Sequence, residues 1–267
     1  MTDIYGNNNV YGPEAFHGTF VSGIIAAKRN NEIGIDGIAE NARIMALKVV
    51  PDGDERDKDV AKAIRYAVDN GAKVINMSFG KDLSPYKDLV DEAVLYAQEN
   101  DVLLVHAAGN DANNIDKVKQ YPTKIINDKT LVNTWITVGA NTKTCNKQFA
   151  ASFTNYGDEM VDIFAPGSRV KSLAPENSYQ IADGTSFSAP VVSGVAALLL
   201  SYYPELSAIE IKDIIQKTAL IYPDLKVYKP KKGFRLIKWK TKFTKLSYTG
   251  GIVSAYEALK MAEEFNK

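Results

Sequence analysis

Three short segments hold side chains that can do chemistry together: His17-Gly18-Thr19-Phe20-Val21-Ser22-Gly23, Ala107-Ala108-Gly109-Asn110 and Gly184-Thr185-Ser186-Phe187-Ser188-Ala189-Pro190. Singly, each has an ordinary explanation. A histidine at a helix start caps or packs, Gly-Asn after a strand turns the chain, and Thr-Ser before a helix caps it. Jointly they hold the parts of acyl transfer, which needs a hydroxyl nucleophile, a nitrogen base to take its proton, and donors for the oxyanion. Ser186 opens a long apolar helix, so its backbone N–H and the helix dipole both favour developing negative charge. His17 opens another helix, with the small Gly18 and Gly23 permitting close packing. Asn110 follows a buried strand, where strand ends of parallel sheets form ligand crevices. Its side-chain amide can donate to the oxyanion alongside the Ser186 backbone.

Those groups need rigid elements to carry them, and the chain supplies strands and helices in alternation. Ala42–Val50, Lys73–Ser78, Val102–Ala107 and Trp135–Gly139 read as strands, most of them nearly continuous in apolar residues, as strands covered on both faces are. Residues 57–70 and 84–100 are amphipathic helices, the second with Ser84 as N-cap and Pro85 at its first helical position. Strand and helix in turn imply an α/β fold, a parallel sheet with helices on both faces. Ser207 and Glu210 form a capping box for a helix through Lys217, and a last helix covers about 252–265. No repeat or linker interrupts residues 1–267, which read as one domain.

Composition sets the outer bounds. Of 267 residues, 45% are hydrophobic and 24% charged, with 32 basic against 32 acidic side chains. Such a chain buries a sizeable core and is not intrinsically disordered. Balanced charge offers no net field for phosphates, which argues against a general nucleic-acid binder. Cys145 has no partner for an internal disulfide, and His17 and His106 leave little room for a histidine metal centre. Residues 1–16 contain neither a basic nor an apolar leader region, so no signal peptide is read here. The uncharged stretch Gly184–Tyr203 reaches the length of a membrane span, but its Ser, Thr, Pro and Gly residues suit a buried helix better. Residues 52–59 hold five acids and two bases and match no calcium loop, which leaves a solvated turn before a helix. Residues 226–245 hold nine bases and no acid, with Gly233 between two alternating stretches. They read as a basic β-hairpin whose face is solvated or meets an acidic surface or polyanion.

The three motifs, in this order, resemble those of the subtilisin-like serine proteases (subtilases): HGTFVSG the histidine motif, AAGN the oxyanion asparagine motif, GTSFSAP the serine motif. The resemblance runs from about Phe16 to the last helix, and the competing nucleophile-elbow pattern G-x-S-x-G of lipases and esterases is absent. It implies a three-layer, mostly parallel sheet fold and a serine endopeptidase with His17 as general base, Ser186 as nucleophile and Asn110 as oxyanion donor. Ser78-Phe79-Gly80 is similar to the segment that pairs with an extended substrate backbone. Ala108 and Gly109 resemble one wall of the pocket for the residue before the scissile bond. The implied partner is a peptide or protein substrate, acted on by a monomer that is secreted or held in the cell envelope. No cofactor is needed for the chemistry. A structural calcium is implied in the loop at 29–35, with the Asn31 side chain and the carbonyls of Arg29, Ile33 and Ile35 as ligands.

The chain also departs from the family. The family aspartate lies on a hydrophobic strand upstream of the histidine, but Asp3 is followed by Ile4 and Tyr5, and Asp36-Gly37 and Asp183-Gly184 come after the histidine. The expectation is therefore a catalytic domain shortened before its aspartate strand, impaired alone, and completed by an upstream segment of its parent. Without that carboxylate nothing identified orients the His17 imidazole or stabilises its cation. A missing central strand would also leave a sheet edge unpaired. Phe20 and Ser22 stand where the family commonly has histidine and alanine, and His106 is expected to pack rather than react. The alternative to a peptidase is a non-catalytic scaffold that keeps the peptide groove as a binding surface.

Overall fold

Long apolar runs end up in the middle of a sheet, because only there are both faces of a strand covered. The structure, a computed structural model, describes residues 15–50, 53–127, 129–231, 233 and 239–265. Its first half comprises α1 (Phe16–Ala26), α2 (Asp57–Asp69), β1 (Val74–Met77), α3 (Lys87–Glu99), β2 (Leu103–Ala107), the short β3 and β4 (Ile125–Ile126 and Thr130–Leu131) and β5 (Trp135–Asn141). There follow β6 (Ile163–Pro166), β7 (Val170–Ala174), β8 (Ser178–Ala182), α4 (Thr185–Tyr202), α5 (Ala208–Lys217), β9 (Leu220–Ile221), β10 (Lys226–Tyr228), β11 (Lys240–Lys242), β12 (Gly251–Ile252) and α6 (Ala255–Phe265). The main sheet has the order β1-β2-β5-β6-β12-β9. Every pairing from β1 to β12 is parallel, and β9 closes the far edge antiparallel to β12.

Alternation along the strands builds two cores. Leu103, Val105 and Ala107 join Ile136, Val138, Ile163 and Ala165 against α4, α5 and α6. Leu104, Met77 and Trp135 face the other way, onto α2 and α3. This is the three-layer α/β arrangement implied by the sequence. On α4, Val192, Val195, Ala196 and Leu199 are buried against the sheet, so the uncharged stretch is a core helix. Each fully buried side chain of this size contributes roughly 1.5–3 kcal/mol, enough to hold the start of the helix in a fixed place. A smaller cluster seats α1 through Phe20, Val21, Ile24 and Ile25 against Phe187 of α4.

Several expectations change on the structure. Residues 42–50 form no strand: Ile44, Met45 and Val50 are exposed, and nothing described pairs with the outer side of β1. The physical reason is that strand geometry requires a hydrogen-bonded neighbour, and among the described residues none pairs with this segment. The helix expected from Ser84 starts at Lys87 instead. Asp57 takes the Ser84 hydroxyl (2.8 Å) and the Tyr86 N–H (2.9 Å), so Ser84 is not the cap. The acidic run is not wholly a solvated turn either. Glu55 and Asp57 are buried, and Asp57 pairs with Lys81 at 2.7 Å. The Ser207–Glu210 capping box is present, while the last helix begins at Ala255 because 251–252 joins the sheet. Of the basic hairpin, the base is seen as the antiparallel β10–β11 pair, and residues 232 and 234–238 at its tip lie outside the described residues.

Candidate active site

Ser186 is the second residue of α4, in the first turn, where backbone N–H groups have no partner within the helix. The preceding Gly184 has no side chain to cap the helix, which leaves its first N–H groups to partners from elsewhere in the fold. Asn110 lies just past the end of β2, which pairs in parallel between β1 and β5. Its Oδ1 accepts from the Thr185 N–H (2.9 Å) and the Thr185 hydroxyl (3.0 Å). A backbone N–H can only donate, so the amide orientation is fixed: the oxygen faces Thr185 and the Nδ2 hydrogens point away from it. The Thr185 hydroxyl in turn accepts from the Gly109 N–H (3.0 Å). Two potential oxyanion donors, the Asn110 amide and the Ser186 N–H, are thereby held together by adjacent residues.

The loop carrying Asn110 is braced by Asn155, a fully buried residue. Its Oδ1 accepts from Asp111 N (3.0 Å) and Asn113 N (2.8 Å), and its Nδ2 donates to Ala108 O (2.8 Å) and Gln120 Oε1 (3.0 Å). Gly109 adopts φ +98, and a Cβ there would overlap the Asn155 amide nitrogen. Glycine is needed at that position on both counts. Ala108 is fully buried, so its methyl does not line an open pocket, and only Gly109 of the expected wall is partly exposed.

Ser78 sits directly against the nucleophile candidate. Its hydroxyl donates to the Ser186 carbonyl (2.8 Å), while the Ser186 hydroxyl donates to the Ser78 carbonyl (3.1 Å). Asn76 extends the network by donating to the Ser78 hydroxyl (2.8 Å) and accepting from Ser193 of α4 (3.0 Å). Thr185 lies inside the serine motif, whereas Asn76, Asn155 and Ser193 are not marked for the site by the sequence. The only signal was a lone polar residue inside the apolar run KVINMS. The half-buried Phe79 gives its carbonyl to His106 Nε2 at 2.8 Å, and Gly80 is exposed beyond it. His106 itself is buried against the Trp135 ring, centroids 5.3 Å apart, as its packing role requires. Burial pushes its pKa down to about 4, against a smaller upward pull from the Phe79 carbonyl. The imidazole is therefore neutral at pH 7, and its Nε2 carries the proton donated to Phe79.

His17 reaches the same place through α1. Its ring lies 5.8 Å from that of Phe187, the neighbour of Ser186. The ring keeps access to solvent, yet the crowding of the cleft lowers its pKa from 6.5 by desolvation. A neutral imidazole of that kind can accept a proton. Its hydrogen bond to Ser186 is not made, and among the described residues no carboxylate contacts the ring. The two aspartates that follow the histidine are used locally: Asp36 accepts from Asn30 N (3.3 Å) and Asp183 from Ser168 Oγ (2.6 Å) and Arg169 N (2.8 Å). At the expected calcium loop, Asn31 Oδ1 accepts from Ile33 N (3.0 Å) in an exposed turn. Among the described residues no group of three or more His, Cys, Asp or Glu converges there or elsewhere.

Fold and site together define a subtilisin-like α/β architecture with a serine at a helix N-terminus, a histidine beside it and an asparagine donor. A family model described as the subtilase family matches residues 2–250, and the chain belongs to that family of serine proteases. It is 36% identical over 217 residues to the cell wall-associated protease of Bacillus subtilis (strain 168), covering 80% of this chain and 22% of that protein. It is 38% identical over 204 residues to the thermophilic serine proteinase of Bacillus sp. (strain AK1), covering 76% of this chain and 46% of that one. The chain thus spans less than half the length of these two curated relatives. The crystal structure of a cold adapted subtilisin-like serine proteinase superposes with TM-score 0.65 and 30% identity, over 77% of this chain and 68% of that one.

Proposed function

We propose that this chain is the catalytic part of a serine endopeptidase that cleaves peptide bonds through an acyl-enzyme on Ser186. A substrate strand lies along Ser78-Phe79-Gly80, beside Gly109. The Ser186 hydroxyl leaves its bond to the Ser78 carbonyl and attacks the scissile carbonyl carbon, while His17 takes the hydroxyl proton. The carbonyl oxygen, now negative, is held by the Asn110 amide and the Ser186 N–H. Collapse expels the amine, which leaves with the proton from the His17 imidazolium. Water then attacks the ester, with His17 again as base, and frees the acid and Ser186. The fixed polarity of Asn110 carries this reading: Thr185 holds its oxygen, which leaves the donor hydrogens for the substrate.

His17 needs a carboxylate to hold its ring and offset its positive charge. Two features support a place for it: no described strand pairs with the outer side of β1, and residues 42–50, largely exposed, pair with no described strand. We assign to this edge an upstream strand of the parent protein that carries the aspartate. Such a strand would give both segments their backbone partners and would orient His17 toward Ser186. Without it the chain is expected to be weakly active at most. Export or attachment to the cell envelope is proposed from relatives such as the cell wall-associated protease. One observation favours the alternative, a peptide-binding scaffold without activity: the Ser186 hydroxyl is engaged by Ser78 rather than by His17.

Labelling with a fluorophosphonate serine probe tests these readings, with Ser186→Ala as control. Labelling that the substitution removes, and that rises when the upstream coding segment is restored, is the expected result. Absence of labelling with that segment in place, together with retained peptide binding, would establish the scaffold instead.

A further inference from the structure

The β10–β11 ribbon concentrates charge in a way the rest of the chain does not. Nine of the 32 bases fall in residues 226–245 without one acid, although the whole chain is neutral. In the register, Lys226 faces Lys242, Val227 faces Thr241 and Tyr228 faces Lys240. Val227 is fully buried, so the Lys226–Lys242 and Tyr228–Lys240 pairs share the outward face. Directly opposed like charges destabilise a ribbon. Even so, no described acid pairs with Lys226, Lys229, Lys240, Lys242 or Lys245, all exposed, nor with Lys147 on the adjoining loop. The fold thus presents a concentrated positive face that no described acid neutralises.

The ribbon packs against the segment that braces the candidate active site. Tyr228 N donates to Lys147 O (2.7 Å) and Lys231 N to Ser152 O (2.9 Å), and the Lys229 ammonium sits 5.0 Å from the centroid of the Tyr156 ring. Tyr156 follows Asn155, the residue that braces the loop holding Asn110. Val227 of the ribbon also shares a core cluster with Ala108, the residue before Gly109 and Asn110. Lysines two residues apart on one strand are separated by about 6.8 Å, which is also the spacing of alternate side chains in an extended peptide.

We infer that the outward face of β10–β11 is an exosite for an extended acidic segment of the protein substrate, with carboxylates at alternate positions. This deepens the peptidase reading and rests on it. The lysines supply charge and spacing but no fixed pocket, so the site selects acidity rather than a particular sequence.

The test uses fluorescence anisotropy of the full chain carrying Ser186→Ala, with an alternating Glu-Gly peptide and its Gln-Gly counterpart. The Glu peptide is expected to bind, more weakly as salt rises, and the Gln peptide is not. Lys226→Glu, Lys240→Glu and Lys242→Glu together are expected to lower Glu-peptide affinity roughly tenfold or more, and the three Gln substitutions by less. Circular dichroism confirms that the variants fold. With Ser186 intact and the upstream segment restored, the triple variant is expected to cleave a short neutral peptide as well as the unsubstituted protein does and an acid-tailed one roughly tenfold less well. Equal binding of both peptides overturns the proposal. So does binding of duplex DNA or a sulfated polysaccharide with the acidic peptide excluded. Failure of the peptidase reading shows separately, as absence of fluorophosphonate labelling while anisotropy still reports acidic-peptide binding.

Discussion

His106 makes the fold of this protein sensitive to mild acid, by an amount that the structure sets. The residue is 3% exposed, its ring tilted against that of Trp135 and, among the described residues, bonded only to the Phe79 carbonyl. Desolvation holds its pKa at about 4 in the fold, against an ordinary 6.5 in the unfolded chain. Between those values the unfolded state binds a proton that the native state refuses, so stability rises with pH across this window. His106 is without penalty above about pH 6.5, and its penalty grows as pH falls toward 4. A difference of 2.5 units corresponds to roughly 3 kcal/mol when pH reaches about 4, since each unit is worth about 1.4 kcal/mol. The perturbation is His106→Gln, which keeps a donor for the Phe79 carbonyl but does not titrate. Urea unfolding followed by tryptophan fluorescence, every half unit from pH 7.5 to 4, gives the two stability curves. Wild type is expected to lose about 3 kcal/mol more than the variant between pH 7 and 4. Curves that stay parallel would show that His106 does not titrate with the fold, and would refute the burial argument. If the variant is equally stable at pH 7 but has a raised KM, the Phe79 carbonyl also depends on the imidazole for its placement.

Three further outcomes follow from the same geometry. Removing an oxyanion donor costs about 10²–10³ in kcat, a figure known from subtilisin itself, so Asn110→Ala is expected to lose about that much in an active form. Thr185→Val frees Asn110 from one of its two anchors and strands the Gly109 N–H, so it should lower kcat by less and cost roughly 1–3 kcal/mol in urea unfolding; an equal kcat would show that the amide needs no such anchor. Asp162 is buried, bonded to Lys124 at 3.1 and 3.2 Å, and accepts from Thr137 N at 2.7 Å and Gln216 Nε2 at 3.0 Å. Asp162→Asn strands the Lys124 ammonium and should destabilise by roughly 3–5 kcal/mol in urea unfolding; a loss under 1 kcal/mol would mean that the pair is solvated. Gly109→Ala meets both a positive φ and the Asn155 amide, and is expected to cost more than about 1 kcal/mol of stability with peptidase activity abolished; wild-type activity would show that this loop shifts freely.

What could be read from the residues, and what could not, divides by the range of the interaction. The strands β1, β2 and β5 were legible because a continuous apolar run reports burial on both faces wherever the neighbours come from. The capping box at Ser207 was legible because both partners lie within one turn. Ser84 misled for the opposite reason: the acceptor that claims it, Asp57, lies 27 residues away and is buried only because Lys81 neutralises it. The acidic run around Asp57 was misread on the same ground, since acids seen in sequence look solvated until their distant cation is placed.

Residues 42–50 show the limit most clearly. Their apolar pattern is that of a strand, but a pattern specifies which face is buried and not which backbone supplies the hydrogen bonds. A strand pairing with this segment is also the element from which the His17 carboxylate is proposed to come. One such strand would serve two unlike needs, backbone partners for 42–50 and a carboxylate to orient the imidazole. If so, folding of the 42–50 segment and gain of Ser186 reactivity should be acquired together. Hydrogen-exchange protection of 42–50, followed alongside fluorophosphonate labelling as an upstream peptide is titrated in, checks this. Protection without labelling would separate the strand from the chemistry, and labelling without protection would place the carboxylate elsewhere.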